Sequence, residues 1–173
     1  MTRYAVFLRA INTGHRRLKM ADLAAAYRDA GYRDVFTFLA SGNVVLSSGG
    51  PPDALALSKV VVDAFGFESE AFVRTGGDLA SVVERNPWPD ADALVEVSFL
   101  EREPGLDAAR ALESIVGPPE GLVVSGAEVF YLREGKGIEP VHKEATTAKM
   151  LGQITTRRGL RTVRHMRERF FSD

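Results

Sequence analysis

The chain has 173 residues, 45% of them hydrophobic, no cysteine and a formal net charge of −1. A chain of this length buries roughly 70% of the surface its unfolded form exposes, so it needs neither metal nor disulfide to fold. The lack of Cys excludes a disulfide framework, a thiolate nucleophile and a cysteine-ligated metal, and the near-zero total charge argues against a general nucleic-acid coat. The ends are nonetheless basic. Residues 1–19 carry Arg3, Arg9, Arg16, Arg17 and Lys19 with no acid, residues 149–173 carry seven basic residues against Glu168 and Asp173, and the middle is acidic, a distribution that makes a local field whatever the total. Met1-Thr2-Arg3 leads straight into strand-like sequence, without the basic and apolar regions of a signal peptide. No apolar run approaches the ~20 residues that cross a bilayer, so the expectation is a cytoplasmic protein with no membrane association.

In chain order, Tyr4–Leu8 reads as a strand buried on both faces. Asn12-Thr13-Gly14-His15-Arg16-Arg17 is a polar loop. Met20, Leu23, Tyr27 and Ala30 then fall at helical spacing, closed by Gly31. Val35–Leu39 predicts a second strand, Ser41-Gly42-Asn43 a tight turn and Val44–Leu46 a third strand. Pro51-Pro52-Asp53 opens a helix as its first turn, with Leu57, Val61, Ala64 and Phe65 inward and Gly66 at its end. Ala71–Val73 is a fourth strand. The order β-α-β-β-α-β over residues 1–76 is the split βαβ pattern of ferredoxin-like folds.

Gly76-Gly77-Asp78 reads as a break with an N-cap, followed by a short helix with Leu79, Val82 and Val83 on one face, stopping at Asn86-Pro87. Val95, Val97 and Phe99 alternate with Glu96 and Ser98, which predicts a strand with one wet face. Residues 105–116 read as a helix with Ala109, Leu112, Ile115 and Val116 inward, ended by Gly117-Pro118-Pro119. Val123-Val124, a Ser125-Gly126 turn and Val129–Leu132 form a hairpin. Helices follow near Ala145–Gly152 and Gly159–Phe171, the last with Leu160, Val163, Met166 and Phe170 on one face. Residues 77–173 therefore read as a second, βαββα-type half. Matching Ser-Gly turns at Ser41-Gly42 and Ser125-Gly126 suggest a distant duplication. The expected fold class is α+β: two ferredoxin-like subdomains in tandem, mostly antiparallel, with helices packed on one face.

In such a unit the third strand lies between the parallel first and second. The loop after strand one, the hairpin between strands two and three, and the start of the first helix then share one end of the sheet. A helix start offers unpaired N–H groups and about half a positive charge. With Arg9, Asn12, Arg16, Lys19, Ser41 and Asn43 nearby, this end is a candidate anion site. A second candidate is the C-terminal helix, where Arg157, Arg161 and Arg164 would share a face and Thr155 or Thr156 would cap it.

Other chemistries lack their residues. The Gly14–Lys19 stretch misses the second glycine and the hydroxyl of a P-loop. No Gly-x-Ser-x-Gly elbow occurs, and Ser41 falls in a hairpin. His15, His142 and His165 lack metal-ligand spacing, so neither metal nor cofactor is expected. Val44-Val45-Leu46 offers no aromatic on which a central strand would stack RNA bases.

Leu8-Arg9-Ala10-Ile11-Asn12, Lys19-Met20 with Leu23, Ser41-Gly42-Asn43-Val44 and Asn86-Pro87 together resemble the bacterial family named Domain of Unknown Function 1697 (DUF1697), over essentially the whole chain. The resemblance implies two related α+β subdomains and no particular activity. Against that family's late pattern Thr-x-Arg-Asn-Trp-x-Thr-Val, Thr162-Val163 match and Arg158 takes the arginine position. Gly159 and Leu160 replace Asn and Trp, which removes an amide and an indole from any ligand contact there.

The leading functional expectation is a binding module for a phosphate-bearing small molecule or nucleic acid, using Arg9, Asn12, Arg16, Lys19, Ser41 and Asn43, with Arg158 as an additional contact. One alternative is an enzyme using the same pocket for phosphoryl or acyl chemistry, with Arg and Lys stabilising developing charge. The other is a protein-interaction module acting through the C-terminal helix.

Overall fold

The computed structural model describes residues 1–118, 120–133 and 143–172. Pro119 and His142 of the sequence reading lie outside these. The chain divides into two compact units, Met1–Leu79 with the residues from Met166 onward, and Ala80–His165. Each is α+β and built on a four-stranded antiparallel sheet.

In the first unit β1 (Thr2–Leu8), α1 (Met20–Asp29), β2 (Arg33–Phe38), β3 (Asn43–Ser48), α2 (Ala54–Phe65) and β4 (Ala71–Thr75) follow in sequence, and the sheet order is β2-β3-β1-β4. Tyr4, Val6, Leu8, Val44 and Leu46 on one sheet face pack with Leu23 and Tyr27 of α1 and Leu57 and Val61 of α2. The other face carries Ala5, Phe7, Val45 and Phe72, also buried. That is why the strands read as continuous apolar runs rather than alternating ones. Asp53 is the N-cap of α2 and accepts from the amides of Leu55 and Ala56. Pro51 and Pro52 therefore precede the helix instead of forming its first turn, and Ala64 faces solvent.

The chain continues through α3 (Gly76–Glu84), a 3-10 segment (Pro89–Leu94), β5 (Val95–Leu100), α4 (Leu106–Glu113), β6 (Gly121–Ser125), β7 (Glu128–Leu132), α5 (Glu144–Leu151), β8 (Thr155–Gly159) and α6 (Leu160–Phe170). Gly76 and Gly77 are not a break but the first turn of α3. Thr75 and Asp78 form a reciprocal capping box, Asp78 N to Thr75 Oγ1 at 3.1 Å and Thr75 N to Asp78 Oδ2 at 2.7 Å. α4 stops at Glu113, so Ile115 lies beyond it and is exposed.

The second sheet has the order β6-β7-β5-β8, the same arrangement as the first. The second unit is therefore a complete βαββαβ set rather than the expected βαββα. The strand missed is Thr155–Gly159, which pairs with β5 from Leu100↔Thr155 to Glu96↔Gly159. Leu100, Leu122 and Val129 of the sheet, Leu112 of α4 and Leu151 of α5 form the core on its helical face. The hairpin turn is Gly126-Ala127, between the paired Ser125 and Glu128. Among the described residues no helix is long and apolar enough to cross a membrane.

Candidate functional site

The end of the first sheet predicted to gather the loop, the hairpin and the helix start does so. The Leu8 amide donates to the Gly42 carbonyl at 2.8 Å and the Arg9 amide to the Glu70 carbonyl at 2.9 Å, which brings the approach to β4 to the same place. The backbone is strained here: Ala10, Asn12 and Leu39 have φ of 57°, 55° and 57°. Left-handed conformations in residues bearing a Cβ cost about 1–2 kcal/mol each and concentrate at functional sites.

The amides are spent on holding this geometry. Asn12 accepts from the Leu18 amide and donates to the carbonyls of Leu18 at 3.0 Å and Ala40 at 2.9 Å, so one side chain joins both ends of its own loop to the hairpin. Asn43 is not in the turn. It is the fully buried first residue of β3, donating to Phe38 O at 2.9 Å and Ser41 Oγ at 3.0 Å. The cations differ in their engagement. Arg9 faces Glu70 at 3.3 Å. Arg16 lies 4.6 Å over the Phe67 ring and makes long contacts to the carbonyls of Ala10 and Glu68, and Arg17 donates to the carbonyls of Gly14 and Arg16. Lys19 is the N-cap of α1 with extended backbone and makes no side-chain cap bond. Its side chain is exposed and makes no hydrogen bond or ion pair among the described residues.

Arg158 belongs to the second unit. It lies on β8 and is buried, donating to Thr156 Oγ1 at 2.9 Å and the Arg157 carbonyl at 2.7 Å. Burial lowers its pKa to about 10, against the opposing pull of Glu144. The expected arginine stripe is likewise redistributed. Arg157 is on β8 and not on a helix, Arg164 of α6 pairs with Asp92 at 2.8 Å, and Thr155 and Thr156 are strand residues rather than caps.

The family model described as "Protein of unknown function (DUF1697)" matches residues 1–130. The chain belongs to this family. Among solved structures it is similar to the conserved bacterial protein SP0830 from Streptococcus pneumoniae, at 21% sequence identity over 99% of both chains with a TM-score of 0.73, a likeness of fold alone. No curated protein matches it.

This DUF1697 chain also holds a polar cluster that the sequence reading passed over, on the helical face of the second sheet. Of Glu96 and Ser98, expected on a wet face, Ser98 is fully buried and Glu96 is partly buried, its side chain keeping 20% of its surface. Arg157 lies 3.9 Å over the Tyr131 ring, donates from Nε to Ser98 Oγ at 3.2 Å and faces Glu96 Oε2 at 3.6 Å. Arg133 faces Glu96 Oε1 at 3.6 Å, and the Tyr131 hydroxyl meets Thr147 Oγ1 at 2.6 Å. Buried Glu96 Oε2 has no hydrogen bond among the described residues, an omission that ordinarily costs about 1–3 kcal/mol. The signal in the sequence was internal. Aligning the halves through Leu8 and Leu100 sets Glu96 against Tyr4, Ser98 against Val6, Tyr131 against Leu46 and Arg157 against Val73.

Proposed function

We propose that the chain is a cytoplasmic binding module for a phosphate-bearing small molecule, held at the loop between β1 and α1. The observation that carries this is Lys19, an exposed, uncommitted ammonium at the N-cap of α1. The first-turn amides of Met20 and Ala21 have no intrahelical acceptors there, and the helix dipole favours an anion. Arg16 and Arg17 add exposed cationic side chains on the same loop. Asn12 serves by fixing the loop, Ser41 and Asn43 by fixing the adjoining hairpin, and Arg9 by anchoring the loop to Glu70. The cysteine-free sequence suits a reducing compartment.

The test is a thermal-shift screen against inorganic phosphate, nucleotides and phosphorylated coenzymes at low and moderate salt, with a short oligonucleotide as a separate arm. A ligand at 100 times its Kd adds about 2.7 kcal/mol of stability. The expected result is a salt-sensitive shift from a small phosphate ligand that Lys19→Ala abolishes and Arg16→Ala weakens. Affinities unchanged in both variants would overturn the reading, and a shift from the oligonucleotide alone would replace the small molecule with nucleic acid.

A further inference from the structure

The three strands β3-β1-β4 and β7-β5-β8 share register, so each inner-face position of one set has a counterpart in the other. In the first unit the positions of Tyr4, Val6, Leu46 and Val73 meet Val61 of α2 in an apolar core. In the second, Glu96, Ser98, Tyr131 and Arg157 occupy the equivalent strand positions. Thr147 stands five residues before the left-handed Gly152 that closes α5, as Val61 stands five before Gly66 at the end of α2. One scaffold thus shows that these positions can be filled by apolar packing, and the other fills them with a carboxylate, a guanidinium and three hydroxyls.

A charged pair in a core is a poor way to add stability, since well-packed apolar residues usually serve as well. The pair here is also unclosed. Both guanidinium contacts to Glu96 are 3.6 Å, beyond hydrogen-bond length, and Glu96 Oε2 is buried with no donor among the described residues. Ser98, Tyr131 and Thr147 are satisfied by Arg157 and by one another, which leaves Glu96 Oε2 as an open acceptor among the described residues. Its exposed neighbour is Arg133, whose side chain keeps 43% of its surface. A carboxylate awaiting a donor beside a half-exposed guanidinium is complementary to a molecule carrying an ammonium and a carboxylate close together.

We propose that this face of the second unit binds a small zwitterion of the amino-acid kind, its ammonium on Glu96 Oε2 and its carboxylate on Arg133, with Arg157 holding Glu96 in place from its seat on Tyr131. The site is built from residues of the second unit, whereas the loop around Lys19 belongs to the first.

The test is calorimetric titration of the full chain with free amino acids, each compared with its N-acetyl and its carboxamide derivative. Binding of one or more zwitterions is expected, weakened at least tenfold by either derivatisation. Glu96→Gln should abolish it, Arg133→Ala should weaken it at least tenfold, and Lys19→Ala should leave it unchanged. Should Glu96→Gln fail to fold, the surface variant Arg133→Ala and the blocked ligands carry the test alone. No heat from any amino acid at millimolar concentration, or binding that survives both Arg133→Ala and N-acetylation, overturns the proposal.

Discussion

Gly42 lies so close to Ile11 that a Cβ built on it would stand 2.7 Å from Ile11 Cγ1 and 2.9 Å from Ile11 Cβ. Its φ is +76°, so it meets both conditions that demand glycine: a left-handed backbone and no room for a side chain. Gly42→Ala should cost about 2 kcal/mol or more. For a chain of this size that corresponds to roughly 4–8 °C in Tm, read by calorimetry. An unchanged Tm would mean that Ile11 yields freely.

Asn12→Ala removes an acceptor and two donor contacts at once, leaving the Leu18 amide and the carbonyls of Leu18 and Ala40 to water. It also forces alanine into a left-handed conformation. The expected loss is about 2 kcal/mol, seen as a lower denaturant midpoint at unchanged m. Hydrogen exchange at the Leu18 amide should accelerate more than exchange in α2. Asn12→Gly restores the backbone freedom but not the bonds, and should fall between the two.

The capping box of α3 yields a smaller effect. Thr75→Ala or Asp78→Ala should each cost about 1 kcal/mol. The double variant should cost less than the sum, because both changes break the same reciprocal pair.

Tyr27 is buried, and its hydroxyl donates to the Leu57 carbonyl at 3.0 Å. Burial, with a smaller contribution from Tyr32, raises its pKa above 10. The folded state therefore keeps a proton that the unfolded chain gives up once pH passes 10. The associated stability is fully present below pH 10 and is lost as pH rises beyond it. Denaturant midpoints measured from pH 8 to 11 should fall above pH 10, and less steeply in Tyr27→Phe. Tyr32, shifted in the same direction, keeps the slope from vanishing. At neutral pH Tyr27→Phe should cost about 1 kcal/mol for the orphaned carbonyl.

The fold was legible where burial was apolar. Val44-Val45-Leu46, Leu23 with Tyr27, and Leu160 with Val163 and Met166 each declared their element. β8 stayed hidden because its side chains are cationic for a reason that spacing does not register: Arg157 finds a tyrosine ring and Arg158 finds its own backbone. Two threonines before two arginines then read as a helix cap. Glu96 and Ser98 looked wet because alternation reports polarity, whereas Ser98 is bonded by Arg157 and Glu96 faces two guanidinium groups. At the loop end the meeting of loop, hairpin and helix start was readable from topology, but the bonds its amides make were not. Asn12 and Asn43 looked like ligand contacts and turned out to be inward ties, since nothing in a sequence says whether an amide faces its own backbone or a guest.

The shared register of β3-β1-β4 and β7-β5-β8 has a practical consequence. Each unit is the other's isogenic control, written into a single gene product. Tyr4, Val6, Leu46 and Val73 spell out an apolar solution that this scaffold already accepts, so transplanting them onto the positions of Glu96, Ser98, Tyr131 and Arg157 is a substitution set with a native precedent. A chain carrying that transplant would show what the polar face contributes, with its sibling as the baseline.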